Sequence, residues 1–211
     1  MFKSINKVIK VYIYWDIVIN SAWGLLGPVF AIFIVQKIAV GNLALGAEIA
    51  GFASLFYWMT KAILQIPIGH YLDRNHGEKD DFLFFVLGTF LTGLVPFGYL
   101  VSSLPWHLYV FQIIHAVGMS MVIPSSYAIF IRHIDKGREA LECGIDSTFL
   151  GIGVGITGAI GGLMVASFGF QAIFILAGLF TIISGFLLFL IRKDMALTVS
   201  PLHEIPPSWP F

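Results

Sequence analysis

Charge is scarce in this chain of 211 residues: Asp, Glu, Lys and Arg make up 11% of it, against roughly 25% in soluble domains. That shortage denies the chain the polar surface of a water-soluble fold. Cysteine is almost absent. The single Cys143 excludes an internal disulfide, carries no redox signal and reads as a small packing residue. The sequence contains no H-E-x-x-H, no G-x-S-x-G, no clustered metal ligands and no P-loop. No enzyme activity, no metal and no cofactor are therefore expected, and ATP hydrolysis would need another chain. The formal net charge of zero points to no class of partner, and no nucleic acid is expected among the partners.

What is abundant is hydrophobic sequence, at 58% of residues. It falls into runs near or beyond the ~20 residues that cross a bilayer. The runs are continuous and lack the alternating ten-residue pattern of barrel strands, so they predict helices. Six spans are expected, at about 11–35, 47–71, 82–102, 106–132, 141–167 and 171–191. The basic N-terminus followed by an apolar run is like a secretory signal, but the run is too long and Asp16 interrupts it, so it reads as an uncleaved first span. The domain expectation is a transmembrane bundle over 1–193. A Pro-rich tail follows over 194–211, holding Pro201, Pro206, Pro207 and Pro210, disordered by composition and cytoplasmic.

Orientation follows from Lys and Arg. With six spans, one side holds Lys3, Lys7, Lys10, Arg74, Lys79, Arg132, Lys136, Arg138, Arg192 and Lys193, and the other holds Lys37 alone. Ten against one places both termini in the cytoplasm. The expected location is the plasma (inner) membrane, as a multi-pass protein with the lipid bilayer as its first partner.

Polarity is uneven among the spans. Asp16, Asn20, Trp23, Gly24 and Gly27 share one face of the first. Ser54, Tyr57, Trp58, Lys61 and Gln65 form a stripe on the second, and Gln112 and His115 share a face of the fourth. His115 is the only histidine deep in a span and has no acid at helical spacing. A charge at mid-membrane costs about 2.5–3.5 kcal/mol even on the mild insertion scale, so these stripes should face one another or a wet cavity. Asp16, Asn20, Lys61, Gln65, Gln112 and His115 are the candidate cavity, substrate or proton residues. Asp16 and Lys61 differ in depth by roughly 7 Å, within reach of a lysine. They form a neutralised pair that only permits insertion, or a pair linked to transport, or they never meet. Spans three and six look suited to lipid contact, although the third carries Thr89, Thr92 and Tyr99. In span five, Gly151, Gly155, Gly158 and Gly162 make a small-residue face of the kind that admits a second helix closely. Glu142 and Asp146, near its cytoplasmic end, are expected to be solvated, with a role in transport as the alternative.

One short loop carries most of the remaining information. From Gln65 the chain reads Gln-Ile-Pro-Ile-Gly-His-Tyr-Leu-Asp-Arg-Asn-His-Gly, which places Gly69, Asp73, Arg74 and Gly77 at the spacing G-x-x-x-D-R-x-x-G. It resembles the loop between the second and third spans of the major facilitator superfamily of transporters. Span four resembles the family's second signature, with Gln112 at the usual Arg position, Ala116 at a usual Gly, and Gly118 and Pro124 retained. Gly158-Ala159-Ile160-Gly161-Gly162 resembles the glycine-rich antiporter signature, with Ala159 in place of Pro.

The resemblance covers about residues 8–193 and implies an all-α integral membrane protein, the N-terminal six-span half of a major-facilitator-type fold. It implies that spans one and four line a central cavity, that two and five meet the opposite half, and that three and six lie at the periphery. It implies that Asp73 and its loop act as a conformational latch rather than a substrate site. Transport of a small solute by alternating access would then need a second six-span half. That half could be a copy of this chain in a homodimer or a separately encoded subunit, or the chain could be a truncated piece of a longer transporter. The competing expectation is a membrane assembly protein that binds another subunit and transports nothing.

Overall fold

Hydrocarbon offers no hydrogen bonds to a peptide backbone, so long apolar runs must pair their amides internally. A computed structural model, which describes residues 5–75 and 77–196, accordingly shows helices and no strands among those residues. They are α1 (Lys7–Phe33), α2 (Leu43–Asn75), α3 (Glu78–Leu100), α4 (Pro105–His133) and α5 (Glu139–Leu188). A wider π turn over Ile34–Ile38 extends α1, and a 3₁₀ turn over Phe189–Ile191 extends α5. Asp194–Ala196 forms one more 3₁₀ turn, and the rest of the expected tail lies outside the described residues. Among the described residues, five helices are long and apolar enough to cross a membrane.

Local chemistry sets the helix ends. The Asn6 side chain accepts a hydrogen bond from the Val8 amide at 2.9 Å and opens α1. Asn42 does the same for Leu45 at 3.1 Å, just before α2. Glu78, Asp80 and Asp81 place negative charge in the first turn of α3, and Arg132 and His133 place basic groups in the last turn of α4. Pro105 starts α4, where its missing amide costs nothing.

The longest helix contains one residue outside helical geometry, Gly169, at φ 73° and ψ 179°. Only glycine holds that conformation readily. An unbroken helix of 50 residues would run about 75 Å, more than twice the ~30 Å hydrocarbon core. The packing shows what Gly169 does. Before it, Gly153 lies against Ile17 and Ser21, and Gly161 lies against Leu25, so this half runs parallel to α1. After it, Phe174 meets Phe33 at 4.8 Å between ring centroids, and Leu188 and Ile191 join the cluster around Ile9 and Ile13. The chain reverses at Gly169, and both halves of α5 pack on α1.

The core divides into two clusters along α1. One gathers Ile9, Ile13 and Trp15 with Phe85, Val122, Ile129, Leu188 and Ile191. The other gathers Leu25, Val29, Phe33, Val95, Tyr99, Leu108 and Phe174. Helices α3 and α4 meet at small residues: a Cβ on Gly88 would stand 2.6 Å from the Gly118 carbonyl oxygen. Several buried hydroxyls bond back to their own helix, as Thr89 does to Phe85 (2.8 Å) and Ser120 to Ala116 (2.6 Å). Such residues therefore enter the core without an unpaired polar atom.

Burial departs from the sequence expectation for the third span. In its most apolar stretch α3 is 56% buried, the most of the five, whereas α2 is 17% buried. Leu83, Leu87 and Leu94 line the outer side of α3, but Phe85, Thr89, Thr92 and Tyr99 turn inward. A helix uniformly apolar by composition still divides into a lipid side and a packed side, and composition does not say how wide each is. Glu142 also differs from expectation: it is fully buried, and a side-chain oxygen accepts from the Asp135 amide at 3.2 Å.

Candidate functional site

Four helices bring aromatic side chains to one hollow. Trp23, Gly27 and Phe30 come from α1, Ser54 and Tyr57 from α2, and Gln112 and His115 from α4, while Tyr99 of α3 closes one end. The cavity they line is about 380 Å³. The Trp23 and His115 rings lie face to face, 3.9 Å between centroids and 7° from parallel. Tyr57 leans on His115 at 4.8 Å, and Phe30 packs on Tyr99 at 5.0 Å. Trp23 Nε1, the Tyr99 hydroxyl and His115 Nδ1 are buried and have no hydrogen-bond partner within the described chain. Unpaired buried polar atoms are costly; these three belong to residues around one cavity but are sealed from solvent, so a guest meets them only after the wall shifts.

A second hollow of about 550 Å³ lies on the other side of Trp23, between α1 and α5. Asn20, Gly24, Pro28, Gly155 and Gly158 line it. Trp23 and Gly27 border both hollows.

The expected site residues fall in three places. Gln112 and His115 line the aromatic cavity, and Asn20 lines the second one. Asp16 is buried one turn below Asn20, whose amide donates to its carboxylate at 2.8 Å and to its carbonyl at 2.9 Å. Lys61 stands apart from Asp16, and the two form no ion pair. Its Nζ lies 4.8 Å from the Trp58 ring centroid and 5.8 Å from that of Tyr57, and its charge reaches His115. Asp146 is the group whose charge reaches Asp16. Gln65 is half-buried farther along α2 and lines neither hollow.

The glycines of α5 also separate. Gly151, Gly155 and Gly162 face open space, and Gly158 makes ordinary contact with Gly24 and Pro28. The tight approach to α1 is made by Gly153 and Gly161, where an added Cβ would overlap Ser21 and the Leu25 backbone. In the loop region, Gly69 lies on α2 near Pro124, Asp73 and Arg74 are exposed at the end of α2, and the extended backbone of Gly77 starts α3.

Sequence reasoning missed two features. Phe30 and Tyr99 belong to the cavity wall; a tyrosine on an otherwise apolar span was the one available sign. Arg132 of α4 also bonds directly to Asp81 of α3, whose side chain is 1% exposed. The clue was an acidic first turn on one helix and a basic last turn on the next.

The sequence profile of the Major Facilitator Superfamily matches residues 17–209. The chain belongs to that superfamily. An uncharacterized MFS-type transporter of Methanocaldococcus jannaschii is 24% identical over 188 residues, covering 88% of this chain and 46% of that protein. The chain thus spans about half the length of the curated relative it matches. Membership and the long apolar helices make it a multi-pass membrane protein of a transport family rather than of a family of enzymes.

Proposed function

We propose that the chain is one half of a secondary transporter that moves a small solute by alternating access and works against a second six-span half. The observation that carries this reading is the cavity of about 380 Å³ walled by α1, α2, α3 and α4 and lined by Trp23, Phe30, Tyr57, Tyr99, Gln112 and His115. In this reading the two halves of α5 are separate spans, giving six, and both termini lie in the cytoplasm on the inner face of the plasma membrane. The basic residues at the α2–α3 and α4–α5 turns support that orientation. The low burial of α2 and the open glycines Gly151, Gly155 and Gly162 are surfaces for the opposite half. Asp73 and Arg74, exposed at the end of α2, serve as the latch against it. A second copy of this chain or a separate subunit would supply that half, because halves in parallel orientation can close around a two-fold axis.

Gly27 offers the cleanest test. It borders both hollows and has no atom within 4 Å of the position its Cβ would take. Gly27→Trp should fill the cavity without disturbing the bundle. In proteoliposomes holding the chain and its second half, solute flux should be lost while the heat stability of the protein is unchanged. Full flux through the filled cavity would refute the transport site. Assembly of a stable complex that carries no solute would favour the non-transporting subunit instead.

A further inference from the structure

The chemistry of the cavity wall narrows its guest. Five of its eleven lining residues carry rings, Trp23, Phe30, Tyr57, Tyr99 and His115, and Trp23 and His115 form a flat stack. Flat rings favour a flat guest, because offset stacking and apolar burial both need parallel area. The polar side chains of the lining can meet an anion: Trp23 only donates, and Ser54, Tyr99, Gln112 and His115 each can donate a hydrogen bond. No Asp or Glu lines the cavity. Asp16, the nearest candidate from sequence, is held by Asn20 and faced by Asp146 instead. A cationic guest would find no counter-charge there.

Among the described residues, the cation next to the cavity wall is Lys61, which reaches it through Tyr57. It sits one helical turn from Tyr57, near enough for its charge to be felt at His115, and it forms no ion pair with any described residue. A lysine within a membrane span that lacks an acid partner marks a place for an anion. Its stem is long and flexible, and its present neighbours are the ring faces of Trp58 and Tyr57, contacts that an incoming oxyanion can outcompete.

We propose that this cavity takes a small organic anion, a carboxylate or related oxyanion attached to a flat aromatic or conjugated ring. The ring lies against the Trp23–His115 stack and the anionic end points towards Lys61. This rests on the transport reading above and narrows it to a substrate class.

The test uses three probes of one shape: 2-naphthoate, its neutral amide and 2-naphthylmethylamine. Each is titrated by calorimetry into the full chain in lipid nanodiscs. The carboxylate should bind at least about tenfold more tightly than the amide and the amine, as one charge-assisted contact would give. Lys61→Gln should erase the gap between carboxylate and amide, and Lys61→Arg should keep it. Trp23→Ala should weaken all three. An amine that binds as well as the carboxylate, or a carboxylate preference that survives Lys61→Gln, overturns the assignment. If none of the probes binds while another solute is moved in a Gly27-dependent way, the anion assignment falls and the transport reading stands. If Gly27→Trp also leaves flux untouched, both fall.

Discussion

Replacing Arg132 with methionine strands the carboxylate of Asp81 inside the bundle. That side chain is 1% exposed, whereas Arg132 is 27% exposed, so the two halves of the pair depend on each other unequally. Removing one member of a buried pair typically costs about 3–5 kcal/mol, because the remaining charge is left without compensation. Asp73 and Asp80 add negative charge near Asp81, which places Arg132→Met at the upper part of that range. Asp81→Asn leaves the guanidinium behind instead, and that group reaches water. Its expected cost is about 1 kcal/mol, the scale of one lost neutral hydrogen bond. The double variant Asp81→Asn, Arg132→Met should be closer to wild type than Arg132→Met alone. At about 2–4 °C per kcal/mol for a chain of this size, Arg132→Met should melt about 6–20 °C lower. Heating in detergent followed by size-exclusion chromatography measures the shift. Equal losses for the two single variants, or a double variant worse than either, would refute the burial asymmetry on which the reasoning rests.

Two further outcomes follow from the placement of individual residues. Gly161→Ala should destabilise the bundle by about 1–3 kcal/mol, since its Cβ meets the Leu25 backbone rather than a side chain that can move; Gly162→Ala, with open space around it, should be neutral or stabilising by up to about 1 kcal/mol, and denaturant titration separates them. Asp73→Asn should leave melting temperature unchanged, because Asp73 is exposed, while shifting the population of inward- and outward-open states measured by distance labels in the assembled transporter; an unchanged population would remove the latch role.

The membrane character, the helical class and the superfamily were legible from residue order alone. Hydropathy is a property of each segment by itself, and a run such as Phe170 to Ile191 needs no neighbour to declare that it belongs in lipid. The charged loop of Gly69, Asp73, Arg74 and Gly77 is also contiguous, so its resemblance survives without coordinates. The aromatic cavity was half legible. Trp23, Tyr57, Gln112 and His115 stood on polar stripes and Tyr99 stood out on its span, but nothing in the sequence set Phe30 against Tyr99, where their rings meet at 5.0 Å.

What the sequence could not decide is how each helix is turned about its own axis. Depth along a span follows from counting residues, and that arithmetic allowed Asp16 to meet Lys61. Azimuth follows from which side chains interlock with which neighbours. Packing sets Asp16 against Asn20 and leaves Lys61 beside Tyr57 and Trp58. The same cause selects Gly153 and Gly161 over Gly151, Gly155 and Gly162 for the close approach to α1. All five are glycines on one helix, and a rotation of that helix decides which of them touch. The sequence by itself determined which segments enter the membrane; only their mutual packing decided which faces meet, because contact energy depends on both partners and is written in neither helix alone.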